Sequence, residues 1–288
     1  LHKKFESKNI DSDYYRRLAF DEIMSFLISK SKNRKQIKIK KTEGKVFNSI
    51  LFNKIVNKLK FKLTKDQLKA VNDINSDLKS KDRMFRLLQG DVGSGKTIVS
   101  IVAIANVIQS GYQCALMAPT EILAKQHFDL ILKTLLDLNI KVEFLVGKTP
   151  YKEKNIILEK LKQGKIDLLI GTHALFQKKI NFSKLGLIVV DEQHKFGVKQ
   201  RMDLANKGGI DCDVLLMSAT PIPRTIMLTL YGDMDISRII EKPKNRKIIL
   251  TLSKPENKIS ELIPLINKHI ENNDQVFWVC PLIDKSAF

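Results

Sequence analysis

The sequence predicts an α/β fold built on a doubly wound parallel sheet, and three observations carry that prediction. From Phe61 onward, short apolar runs alternate with segments of helical periodicity, the pattern of strands joined by crossover helices. One run, 84–88, leads into Gly90-Asp91-Val92-Gly93-Ser94-Gly95-Lys96-Thr97, a glycine-rich turn before an apolar helix. Another, 187–190, ends in the carboxylate pair Asp191-Glu192. Strands of a parallel sheet end on one edge, so loop and carboxylates are expected to meet there.

Residues 14–28 set Leu18, Ile23, Phe26 and Leu27 at helical spacing among polar residues, an amphipathic helix. The basic run 30–41 (Lys30, Lys32, Arg34, Lys35, Lys38, Lys40, Lys41) reads as a solvated loop, with phosphate contact as its alternative. A second helix covers 46–59, and Thr64 caps a third over 65–78. Strands at 84–88, 114–117, 142–146, 168–170, 187–190 and 214–217 then alternate with helices at 96–109, 121–137, 152–162 and 198–206. Pro243-Lys244-Asn245-Arg246 reads as a hinge, followed by strands at 247–252 and 276–280 flanking a helix near 257–271. Three parts result: a helical linker with a basic loop (1–60), a main α/β lobe (61–242), and a hinge with the start of a second lobe (243–288). The chain opens on Leu1 rather than Met and stops just after an apolar run, so a piece of a longer protein is expected.

A chain of 288 residues, 43% hydrophobic and 28% charged, can bury a large core and reads as a soluble globular protein. No apolar run approaches a membrane span and no signal-peptide pattern opens the chain, so no membrane partner and a cytoplasmic location are expected. Cys114, Cys212 and Cys280 are scattered in strand-like runs without metal-ligand spacing, as reduced core thiols would be. The net charge of +19 favours a polyanionic partner, nucleic acid above all. Its weight is supporting only, because a Lys-, Ile- and Asn-rich composition also follows from an AT-rich genome.

The loop 90–97 fits G-x-x-x-x-G-K-[ST], in which glycines let backbone N–H groups turn toward phosphate oxygens that a Cβ would obstruct. Lys96 reaches the β- and γ-phosphates, Thr97 offers its hydroxyl to Mg²⁺, and the following helix points its positive end at the anion. The chain is therefore read as binding a nucleoside triphosphate. Of the carboxylates, Asp191 suits Mg²⁺ and Glu192 suits orienting water against the γ-phosphate, while Gln193 and His194 add polar groups for relaying nucleotide state. Ser218 and Thr220, in Ser218-Ala219-Thr220, follow the next strand and can hydrogen-bond His194. Upstream, Phe61 offers an aromatic face and Gln67 an amide able to pair with an adenine edge. Pro119-Thr120 and Gly171-Thr172-His173 also sit at strand ends, where small residues and hydroxyls suit a sugar–phosphate backbone.

In order and spacing, residues 61–67, GDVGSGKT (90–97), APTEILAKQH (118–127), GTHAL (171–175), DEQHKFGVKQR (191–201) and MSATPIPRT (217–225) resemble superfamily 2 helicases, and more narrowly the RecG family of ATP-dependent DNA helicases. Ser94, Gln193 and His194 favour that family over the transcription-repair coupling factor and the primosomal restart helicases. The likeness runs from about 14 to 288 and implies a P-loop NTPase of RecA-like fold, with the beginning of a second RecA-like lobe. It implies ATP and Mg²⁺ as ligands, with Lys96, Thr97 and Asp191 on phosphate and metal, Glu192 as catalytic carboxylate and Gln67 on adenine. His194, Ser218 and Thr220 would couple hydrolysis to lobe movement. It further implies a monomer acting on double-stranded and branched DNA, including stalled forks and Holliday junctions, in recombination and repair.

The family's strand-splitting wedge and the second lobe's late motifs have no counterpart in this sequence. Poor hydrolysis by the chain alone is expected, since an arginine finger is worth roughly 10³–10⁵ in related phosphoryl transfer. Two alternatives stand beside this reading: a nucleotide-dependent nucleic-acid-binding module without motor activity, and an RNA helicase.

Overall fold

Seven runs pair as strands: β1 (Phe85–Gly90), β2 (Gln113–Met117), β3 (Val142–Leu145), β4 (Leu168–Gly171), β5 (Leu185–Val190), β6 (Asp213–Ser218) and β7 (Asp235–Ile239). This is a computed structural model describing residues 13–37, 39–176, 179–192, 208–220, 234–241 and 251–279. All pairings are parallel and the order is β3-β4-β2-β5-β6-β1-β7. The expected doubly wound sheet is present, with every residue of β2, β4, β5 and β6 buried. Such strands are apolar throughout because both faces are covered. Alternate residues serve opposite cores: Leu88, Leu116, Ile170, Val189 and Leu215 face one, and Leu87, Ala115, Leu169, Ile188 and Leu216 the other.

The helices among the described residues are α1 (Asp13–Ile37), α2 (Ile50–Lys58), α3 (Lys65–Lys79), α4 (Lys96–Gln109), α5 (Glu121–Leu135), α6 (Tyr151–Lys162) and α7 (Leu262–Glu271). Thr64 caps α3 as expected: its hydroxyl accepts from Gln67 N while Gln67 Oε1 accepts from Thr64 N. The centre of the first core is α4, buried continuously from Ile98 to Val107. Contacts divide the chain into Leu1–Pro243 and Lys244–Phe288. In the second unit a 3-10 turn (Glu256–Glu261) leads into α7.

Four expectations need correcting. The basic run is helical, not a loop, as far as Ile37, because Lys, Arg and Gln are good helix formers whatever their charge. Lys41, at its end, is not solvated: its side chain is fully buried, and Nζ donates to Asp213 Oδ1 at 3.2 Å and to the carbonyls of Asp77 and Leu78. Residues 276–279 form no strand; Phe277 and Val279 are 85% and 87% exposed, and no strand pairs with them among the described residues. β7 was not expected, since DISRI lies at the sheet edge and mixes polar with apolar residues. The helix expected at 198–206 and most of the strand at 247–252 lie outside the described residues.

Cys114 and Cys212 are buried, and burial pushes both thiols up, Cys212 to about 12. They are inert core residues at neutral pH; Cys280 lies outside the described residues. No described helix is long and apolar enough to cross a membrane.

Candidate nucleotide site

The carboxyl ends of β1, β2, β4, β5 and β6 bring the loop 90–97, Pro119-Thr120, Gly171-Thr172-His173, Asp191-Glu192 and Ser218-Ala219-Thr220 to one edge of the sheet. In the loop, Gly93 and Gly95 take φ of +75° and +89°, conformations open to glycine at little cost. Gly95 also stands where a Cβ would lie 2.2 Å from Gln67 Nε2. Lys96 folds back onto its own loop, Nζ donating to Gly90 O at 2.6 Å and Asp91 O at 3.1 Å. Burial pulls the Lys96 ammonium's pKa down, against the opposing pull of Asp191, Glu192 and Asp91. A buried cation facing acidic groups, resting on carbonyls it can exchange, is what a polyphosphate needs. Ser94 Oγ is buried without a hydrogen-bond partner in the same loop, as a hydroxyl awaiting an oxyanion would be.

Gln67 is tied into this loop more tightly than the sequence suggested. It is 2% exposed, and Nε2 donates to Ser94 O at 2.7 Å while Oε1 serves the Thr64 cap. One amide N–H and one lone pair remain for an adenine edge. Phe61 is 50% exposed.

Asp191 is 9% exposed at the tip of β5; its backbone N–H donates to Met117 O, and its Oδ1 accepts from Glu192 N at 3.0 Å. Glu192 adopts φ +49°, the left-handed region that a residue with a Cβ occupies at a cost. The described residues hold no cluster of three or more His, Cys, Asp or Glu able to cage a metal alone. One carboxylate with the Thr97 hydroxyl fits Mg²⁺, which keeps water and phosphate oxygens for its remaining positions.

Ser218 Oγ and Thr220 Oγ1 share a hydrogen bond of 2.9 Å, and Gln89, last before the loop, donates from Nε2 to Thr220 O at 3.0 Å. That tie between β1 and the Ser-Ala-Thr segment had no sequence signal beyond a polar residue in an apolar strand. Gln193 and His194 lie outside the described residues. Of the nucleic-acid candidates, Thr120 and His173 are exposed, Pro119 is half-buried, and Gly171 and Thr172 are buried. Gly171 has a packing reason for its size, since a Cβ would lie 1.9 Å from Leu145 O on β3.

The first turn of α3 also holds the stretch after β7. Asp66 accepts from the backbone N–H groups of Glu241 and Ile240, both at 2.8 Å, and Lys65 N donates to Glu241 Oε2. These donors hold the Asp66 carboxyl below the usual carboxylate range. Its contribution to stability is thus complete above the unfolded-state pKa and disappears as pH falls through the lowered folded value. Asp66→Asn is expected to flatten that part of the acid limb in urea titrations; an unchanged pH profile would count against the bond.

With this geometry in place, the DEAD/DEAH box helicase model matches residues 64–229, more than half of the chain. The chain belongs to the DEAD/DEAH box helicase family. Within it, the chain is 42% identical over 274 residues to the ATP-dependent DNA helicase RecG of Aquifex aeolicus, covering 95% of this chain and 35% of that protein. RecG of Thermotoga maritima is 43% identical over 275 residues, covering 94% and 34%. Among solved structures, RecG bound to a three-way DNA junction shares 40% identity and superposes with a TM-score of 0.81 over 93% of this chain and 36% of that one. A DEAD-box helicase bound to single-stranded RNA (20% identity, TM-score 0.57, covering 82% and 54%) shares the fold. The chain spans about a third of the length of the RecG relatives.

Proposed function

We propose that residues 61–242 form the ATP-binding motor lobe of a DNA helicase, entered through a linker (1–60) and continued after the hinge by a second lobe from 243. Its substrates would be double-stranded and branched DNA, including forks and Holliday junctions, and its setting recombination and repair in the cytoplasm, as a monomer. The observation carrying this reading is the likeness to RecG on a three-way junction over nearly the whole chain. The +19 net charge supports a polyanionic partner.

In this reading the N–H groups of residues 90–97 cradle the phosphates, and Lys96 exchanges the carbonyls of Gly90 and Asp91 for β- and γ-phosphate oxygens. Thr97 and Asp191 hold Mg²⁺, which when bound neutralises phosphate charge. Glu192 orients the attacking water from a left-handed backbone position directly after Asp191. Gln67 reads adenine with its remaining N–H and lone pair beside Phe61, so a signal reaches the loop through Ser94. Gln193, His194, Ser218 and Thr220 relay nucleotide state. Thr120 and His173 contact the DNA backbone, with Pro119, Gly171 and Thr172 shaping the edge behind them.

Fluorescence anisotropy with a three-way junction, a plain duplex and duplex RNA tests the DNA assignment. Binding is expected to favour the junction and to weaken with salt, with a log–log slope of about −0.9 per phosphate neutralised. A flat salt response, or preference for RNA, would overturn it.

A further inference from the structure

Helix α5 follows β2 and buries Ala124, His127 and Ile131 on one face. His127 is the one ionisable residue on that face, and it is only 9% exposed. Its Nε2 lies 2.8 Å from Asp191 Oδ2. A carboxylate accepts, so the imidazole proton sits on Nε2 and is donated to Asp191. With Oδ1 taken by Glu192 N at 3.0 Å, both oxygens of Asp191 are oriented, one by its own backbone turn and one by a neighbouring helix. Asp191 N also donates to Met117 O at the end of β2, the strand that leads into α5. The ring is carried by α5 and held at its tip by the carboxylate, while the pairing of β2 with β5 sets Asp191 beside the strand that leads into that helix.

We propose that His127 is a positioning residue for the divalent-cation carboxylate Asp191, holding it in the rotamer that meets a nucleotide-bound metal. The inference rests on the nucleotide-site reading above. The hydrogen bond leaves Oδ2 a second lone pair and fixes the plane of the carboxylate. Free rotation would otherwise have to be lost on each metal-binding event. Groups that orient a metal-ligating carboxylate affect metal affinity more than nucleotide affinity, and their loss costs roughly 10–100-fold in metal binding.

The test is the Mg²⁺ dependence of ADP binding by the full 288-residue chain, followed by titration calorimetry in EDTA and across a Mg²⁺ series. Mn²⁺ serves as a paramagnetic probe of the same site. His127→Leu is expected to raise the half-saturating metal concentration about 10–100-fold and to leave ADP affinity in EDTA unchanged. His127→Gln places an amide N–H near the Nε2 position and is expected to restore the wild-type dependence. His127→Asn is as polar but too short, and is expected to behave like His127→Leu. That pair carries the comparison if the leucine variant does not fold. Unchanged metal dependence in His127→Asn, or a glutamine variant as impaired as the asparagine one, would overturn the inference alone. Wild-type chain that binds no ADP under any condition would overturn the nucleotide-site reading beneath it.

Discussion

Asp213→Ala is expected to destabilise the unit Leu1–Pro243 by about 3–5 kcal/mol, the cost of leaving buried charge without its partner. Asp213 is fully buried at the start of β6, on the sheet edge opposite the nucleotide loop. It receives Lys45 Nζ at 2.5 Å, Lys41 Nζ at 3.2 Å and Met84 N at 2.6 Å. Both lysine side chains are buried, so one carboxylate compensates two cations and an entering strand. The carbonyls of Asp77, Leu78 and Asp211 also accept from these ammoniums, which keeps the loss from being larger. Burial already pulls the Lys41 pKa below the ordinary lysine range, outweighing Asp213. Between that lowered value and the ordinary one the unfolded chain binds more protons, so the Lys41 penalty eases as pH rises. Without Asp213 the folded pKa drops further, and the variant is expected to regain part of its loss on the alkaline side. Urea titrations of both proteins at neutral and alkaline pH check this. A neutral-pH loss below about 1 kcal/mol would place the cluster with exposed ion pairs.

This cluster also shows where sequence reading stops. A P-loop is legible because its chemistry is local: eight consecutive residues carry the turn, the cation and the hydroxyl. The strands were legible because burial on both faces leaves a run of apolar residues. Lys41, by contrast, ends a basic run, and most such lysines are solvated; its burial depends on an aspartate 172 positions later. His127 was hidden similarly. On α5 it falls in register with Ala124 and Ile131, a hint that an ionisable side chain lies on the buried face and needs a partner. Which partner was fixed only by the pairing of β2 with β5, which carries Asp191 beside that helix. Gln67 was recognised for the ligand it resembles a reader of, while its bonds to the Thr64 cap and Ser94 O come from two different levels of structure, a capping box and a tertiary contact.

Lys96→Ala is expected to show the opposite pattern, a large loss of binding with little loss of fold. In Asp213 the compensating charge would be removed; in Lys96 it is the desolvated charge itself. Lys96 is 9% exposed, and burial lowers its pKa even against three acidic neighbours. The apo fold thus bears a penalty for keeping it protonated, and truncation relieves that penalty while freeing the carbonyls of Gly90 and Asp91. ATP binding would be where the ammonium repays this cost. Each charge-assisted hydrogen bond is worth about 1.5–3 kcal/mol, so losing contacts to both β- and γ-phosphate weakens ATP by about 10²–10⁴. Asp91, Asp191 and Glu192 would then face the incoming polyphosphate without the cation that now stands among them. Calorimetry reads the affinity, and thermal unfolding with and without ATP reads the partition. The apo midpoint is expected to stay near that of the wild type while the ATP-induced rise disappears. Wild-type ATP affinity in the variant would sink the site assignment. A collapsed apo midpoint would instead show that the carbonyl contacts of Lys96 hold the loop together, and that the cation is a structural group before it is a ligand for phosphate.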